Sequence, residues 1–150
     1  MKRAIELSNR NLDTGAGGPF GAIIVKNGEV IGEGWNQVTS TNDPTAHAEV
    51  MAIRNACKNL STFDLSGSEI YTSCEPCPMC LSAIYWARLE KIYFGNTKKD
   101  AASIHFDDDF IYKEFEKKIN ERKISCEQMM RDDAFTVFAR WDQMQHKVLY

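Results

Sequence analysis

His47-Ala48-Glu49 and Pro76-Cys77-Pro78-Met79-Cys80 are the two runs of this chain whose residue types and spacing could do chemistry. One imidazole and two thiols make three protein ligands for zinc, and three ligands leave the fourth tetrahedral position open for water or substrate, as catalytic zinc sites require. Two thiolates and a neutral imidazole cancel the charge of the ion. Water held there is acidified less than at an all-histidine site, so a neighbouring base becomes useful. Glu49, two residues after the histidine, can take the water proton and later return it as an acid. The competing arrangement is a closed structural site with Cys74, Cys57 or Glu49 as fourth ligand, but such sites usually pair two C-x-x-C hooks. Cys₂His favours zinc, with iron as the other metal the set could hold.

The elements around these runs must bring them together. Cys77 and Cys80 are spaced i, i+3, which puts both thiols on one face at the start of a helix. Pro76 and Pro78 fall at and just before the first turn, where a missing N–H costs nothing. The positive end of that helix favours thiolate over thiol. His47 begins a second helix, read over Ala48–Leu60 from the spacing of Ala48, Met51, Ala52 and Ala56. Ahead of it, Ala4, Ile5, Leu7 and Leu12 mark a helix that ends at Gly15-Ala16-Gly17-Gly18-Pro19. Phe20–Val25 and Val30–Trp35 read as strands joined by the turn Lys26-Asn27-Gly28-Glu29. Ile70–Thr72 and Lys91–Gly95 read as further strands, with a helix over Cys77–Ala87 between them. Asn36–Pro44 is read as a polar loop and Thr97–Asp100 as a linker. Phe106–Phe110 is read as an acidic turn, followed by helices over Ile111–Ile119 and Ala134–Lys147. Strands alternating with helices predict an α/β layered sandwich.

Size and composition set the bounds. The chain has 150 residues, one domain's worth, with 43% hydrophobic and 26% charged residues and a net charge of −3. The stretch 101–150 carries ten acidic and eight basic side chains. That balance argues against a basic nucleic-acid arm. No apolar run approaches the length of a membrane span, and Met1–Glu6 lacks the apolar centre of a signal peptide, so a cytoplasmic protein is expected. Five cysteines, an odd number, do not suggest a disulfide framework. Cys57 and Cys74 are read as packing residues; Cys126 has no readable context. His105 and His146 are read as surface residues.

The pair H-x-E and P-C-x-x-C is the signature of zinc nucleobase deaminases. The runs Gly17–Ala22, Asn36, Thr41–Glu49, Tyr71–Cys80, Ala83–Arg88 and Phe106–Glu114, with Tyr150 as last residue, resemble the cytidine deaminase-like superfamily. They resemble its bacterial guanine deaminase branch more than the others, over essentially the whole chain, with the weakest match from Lys117 to His146. The resemblance implies a three-layer α/β/α sandwich forming one domain over 1–150, with 101–150 as a helical lid. It implies a homodimer in which that segment swaps over to the partner's site. It implies one zinc per subunit at His47, Cys77 and Cys80, with Glu49 catalytic, and hydrolysis of guanine to xanthine and ammonia. Carried over by position, Asn36 would meet the purine edge, Ala48 would lend its backbone N–H, and Asp108, with its neighbours Asp107 and Asp109 as alternatives, would accept from a guanine N–H. Tyr150 of the partner would close the site. Phe20 and Trp86 would wall or stack on the base. The partners implied are a small-molecule substrate and a second copy, with neither nucleic acid nor membrane.

Three other readings stand beside this one. The chain could deaminate another small base or nucleoside (cytosine, adenine, guanosine or a triazine). It could be a tRNA adenosine deaminase, which shares the core motifs but wants a basic surface. Or it could be a zinc module without enzymatic activity.

Overall fold

Asn27 and Gly28 take φ angles of 53° and 84°, the two positive values that a tight hairpin turn demands and that Asn-Gly supplies. In this computed structural model, which describes residues Met1–Tyr150, that turn joins β1 (Gly21–Lys26) to β2 (Glu29–Trp35). The remaining elements of the first unit are α1 (Lys2–Thr14), α2 (Val38–Thr41), α3 (Ala48–Leu60), β3 (Ser68–Cys74), α4 (Pro78–Trp86), β4 (Lys91–Asn96) and α5 (Lys98–Ser103). The chain goes on through α6 (Asp109–Glu116), a 3-10 turn (Ile119–Glu121) and α7 (Arg131–Asp142). It divides into two compact units, Met1–Asp109 and Phe110–Tyr150.

In the first unit the sheet order is β2-β1-β3-β4. β1 is antiparallel to β2 and to β3, and β4 is parallel to β3. Alternate residues of a strand point to opposite faces. Ala22 and Ile24 of β1 and Ile70 of β3 point to one face, where they form the core with Ala48, Ala52 and Ala56 of α3, Ile84 of α4 and Ala87, the residue that ends α4. Gly21 points to the other face, against Ala4 and Leu7 of α1. The unit is thus the expected α/β/α arrangement: α1, the sheet, then α3 with α4. The crossing of α3 over β2 is close. A methyl group on Gly34 would stand 2.2 Å from the carbonyl oxygen of Ala48, and one on Gly32 would stand 2.5 Å from that of Ala52. Only residues without a side chain fit there.

Several local expectations change. Thr97–Asp100, read as a linker, opens α5: Thr97 Oγ1 and the Asp100 carboxylate cap each other's backbone N–H groups, the reciprocal bonding of a capping box. Asn36–Pro44 contains the short α2. Asp109, read as part of an acidic turn, starts α6, because a carboxylate is favourable in the first turn of a helix. α7 starts at Arg131 rather than Ala134, and Asp132 and Asp133 fill its first turn. The apolar periodicity begins one turn after the helix does, because its first turn is filled by charged residues.

Phe110–Tyr150 has no buried residue. Phe135, Val137 and Phe138 on α7 are 51%, 64% and 72% exposed, so this unit holds no core of its own.

Candidate metal centre and substrate cavity

His47 and Cys77 occupy the same position on two different helices. Each is the N-cap residue, extended at φ −70°, ψ 155° and φ −64°, ψ 167° respectively, and neither side chain caps its helix. Both side chains are therefore free to turn towards each other. The chain before His47 is held by Asp43, whose Oδ1 accepts from the backbone N–H and the hydroxyl of Thr45 at 2.8 and 2.7 Å. Pro78 fills the first turn of α4, and Cys80 follows Cys77 by one turn of that helix. His47 Nδ1 stands 3.6 Å from Cys77 Sγ and 3.5 Å from Cys80 Sγ. The three donor atoms lie within 4.8 Å of one another. Tetrahedral zinc with its usual Zn–S and Zn–N bonds sets N···S edges of about 3.5 Å, so this donor set fits the ion. Cys74, the rival ligand, is buried at the end of β3, and its thiol donates to the Thr97 carbonyl at 3.6 Å.

The charges follow the geometry. A hydrogen bond from Cys80, then one from His47, pull the Cys77 thiol down to about 4. The Cys80 thiol is pushed up, first by donating to Cys77 and then by burial. The hydrogen bond with Cys77 raises His47. Burial raises Glu49, only partly opposed by hydrogen bonds to its carboxylate. Burial pushes Cys74 up to about 11. Asp108 is raised by burial and then by the Cys77 thiolate, with Lys98 acting the other way.

Beside the ligands lies a cavity of about 460 Å³, lined by His47, Glu49 and Cys77 together with Phe20, Asn36 and Asp108. Small-molecule sites span roughly 300–1,000 Å³. Asn36 is 5% exposed, and its Oδ1 accepts from Val38 N–H at 3.2 Å. A methyl group on Gly17 would stand 2.1 Å from that same oxygen, so Gly17 lets the amide lie flat against the backbone. Phe20 meets Phe106 edge to face, with ring centroids 5.0 Å apart. Of the three adjacent aspartates, Asp107 accepts from Asp109 N–H at 3.0 Å and Asp109 starts α6. Asp107 and Asp108 both line the cavity. Ala48, at the first position of α3, is fully buried, and first-turn N–H groups have no partner within their helix.

Trp86 stands apart from the cavity. It ends α4 at 67% exposure and does not line the cavity, because the buried stripe of α4 runs through Cys80 and Ile84 and carries Trp86 outward. His105 was expected at the surface; it is exposed but also stands on the cavity wall, as do Lys98, Glu75 and Phe106. Tyr150 belongs to the second unit and is 74% exposed.

Two residues without an expected role support the site. Asn11 is buried on α1, and its Nδ2 donates to the carbonyls of Gly18 at 2.7 Å and Asn36 at 2.8 Å. It tethers two stretches of the cavity wall. Its signal was a polar residue on the apolar stripe after Ala4 and Leu7. Thr72 of β3 donates to Glu49 Oε1 at 3.2 Å, and no sequence signal pointed to that pair.

Residues 1–96 match the family described as the cytidine and deoxycytidylate deaminase zinc-binding region. The guanine deaminase of Bacillus subtilis is 50% identical over 150 residues, 100% of this chain and 96% of that protein. The X-ray structure of a Bacillus subtilis guanine deaminase matches at a TM-score of 0.96 and 50% identity, covering 99% of this chain and 95% of that one. A tRNA-specific adenosine deaminase of Aquifex aeolicus is 44% identical over 99 residues, 66% of this chain and 65% of that protein.

Proposed function

The chain belongs to the cytidine and deoxycytidylate deaminase family through its zinc-binding region, and from that premise we propose that it hydrolyses guanine to xanthine and ammonia. The observation that carries this reading is the placement of Glu49 beside the His47–Cys77–Cys80 cluster in a cavity that also presents Asn36 and Asp108. The substrate assignment is supported by the likeness to a guanine deaminase over 150 residues, whereas the likeness to the tRNA-specific enzyme spans 99.

His47, Cys77 and Cys80 hold the zinc, which when bound supplies a Lewis acid that makes water nucleophilic near neutral pH. Glu49 accepts a proton from the attacking water. It hands that proton to the ring nitrogen next to the carbon bearing the amine, then carries a second proton to the departing ammonia. Burial keeps the carboxylate away from bulk water, which suits a group that must gain and lose a proton in each turnover. The Asn36 amide orients the purine edge, its Oδ1 held by Val38 so that its NH₂ group donates. The Asp108 carboxylate accepts from a guanine N–H. The backbone N–H of Ala48 donates to the ring, and Phe20, braced by Phe106, walls it.

The protein works as a homodimer in which the C-terminal segment crosses over and brings Tyr150 to the partner's site. The absence of any buried residue in Phe110–Tyr150 supports this, since such a unit needs another surface to cover it. It acts in the cytoplasm on the free base, with neither nucleic acid nor membrane as partner. Five free thiols and a net charge of −3 agree with that setting, and no helix is long and apolar enough to cross a membrane.

The test is ammonia release from guanine by the zinc-loaded protein, with cytosine, adenine and guanosine in parallel. Selective formation of xanthine is expected. Turnover of another ring and not of guanine would keep the reaction type and discard the substrate.

A further inference from the structure

The Thr72 hydroxyl lies 3.2 Å from Glu49 Oε1 and donates to it. Both residues are buried, at 1% and 6% exposure. Thr72 sits inside the sheet, opposite Ala22 on β1 and Phe94 on β4. Its backbone is thus fixed from both sides, and the hydroxyl starts from a rigid point. Glu49 can rotate about three side-chain bonds, and the other groups that hydrogen-bond its carboxylate, its own backbone N–H and the Cys80 thiol, do not tie it to the sheet. A base displaced by about 1 Å can lose on the order of a hundredfold in rate.

We propose that Thr72 is the positioning residue of Glu49: its hydroxyl ties Oε1 to the central sheet and leaves Oε2 as the oxygen that exchanges protons with water and substrate. The inference rests on Glu49 being the proton carrier of the proposed reaction. Thr72 touches no reacting atom. It sets where the carboxylate stands and which of its oxygens is used.

The experiment compares Thr72→Val, which keeps the shape and removes the hydroxyl, with Thr72→Ser, which keeps the hydroxyl. One hydrogen bond to a charged group corresponds to a fall in kcat of about ten- to hundredfold in T72V. KM for guanine and one zinc per chain should be retained, and T72S should recover most of the rate. A crystal structure of T72V should show the Glu49 carboxylate displaced from β3, a readout that needs no substrate. An unchanged kcat in T72V, equal losses in T72V and T72S, or an undisplaced carboxylate would each overturn the proposal. If T72V does not fold, Thr72→Ser against Thr72→Ala isolates the same hydroxyl, and equal rates in that pair overturn it. The unsubstituted protein is assayed first on guanine. If it turns over a different base, the substrate reading fails and the Thr72 series is run on that base.

Discussion

His47 Nδ1 stands 3.6 Å from Cys77 Sγ although thirty positions of chain separate the two residues. The contact exists because each residue is the last extended one before a helix, and the two helices start side by side on one face of the sheet. It also sets the acid–base state of the metal-free protein. Cys77 is already a thiolate at neutral pH, at about 4, whereas His47 is raised above its ordinary 6.5. Zinc must therefore displace the Cys80 proton throughout the neutral range, and protons compete at His47 as well once pH falls towards its raised value. Apparent zinc affinity should fall as pH drops through neutrality and fall further as Cys77 protonates near pH 4. Competition with a chromophoric chelator across that range measures it, and a flat profile would contradict the assignment of ligands.

Glu49→Gln keeps the shape of the side chain and removes its ability to take a proton. Turnover should drop by about 10²–10⁴-fold, the usual contribution of a general acid–base, with one zinc per chain retained. Metal analysis beside the rate measurement separates the roles. Loss of zinc together with activity would make Glu49 a ligand instead.

Asn11→Leu should raise KM and lower stability, because two carbonyls of the cavity wall lose their donor. Each buried acceptor left unpaired costs about 1–3 kcal/mol. Asn11→Asp should be worse, since it places a negative charge against the same two oxygens. Urea midpoints and KM for guanine test the order, and equal behaviour of the two variants would remove the tether.

Removing Val148–Tyr150 should lower kcat/KM while zinc content stays the same, if this segment closes a site. Unchanged kinetics would remove the lid, and a monomer by sedimentation at assay concentration would remove the swap.

The Arg3 guanidinium grips both oxygens of Glu33, at 2.7 and 2.8 Å, and joins α1 to β2. Those hydrogen bonds hold Glu33 below the ordinary carboxylate value of 4.5. The resulting stability is fully present above that value and is lost as pH falls through the lower folded value. Glu33→Gln should therefore reduce the urea midpoint at pH 7, and the gap to the unsubstituted protein should close in acid. A gap that persists at low pH would assign the effect to packing.

The candidate ligands and the carboxylate beside them could be read from the chain because their signals are local. A helix start carries the two cysteines, another carries His47 and Glu49, and both starts have their own signals. The Asn27–Gly28 turn and the span of α3 were legible for the same reason. Thr72 was not, since its partner lies on α3, twenty-three positions away in the chain. The exposure of Trp86 was not legible either, because an aromatic beside a site motif says nothing about which way its helix face turns. α5 was missed because a capping box of Thr97 and Asp100 looks like any polar linker until the helix behind it is seen.

Gly32 and Gly34 perform no chemistry, yet they fix the distance at which the sheet carries α3. His47 is the N-cap residue of that helix and Glu49 sits on its first turn, so the imidazole and the carboxylate ride on the same rod. Lifting the rod by one methyl group would move both together and leave their mutual spacing intact, while the gap to Cys77 and Cys80 on α4 opened. In this fold the bite of the candidate metal site is set by two missing side chains beneath the first turns of α3.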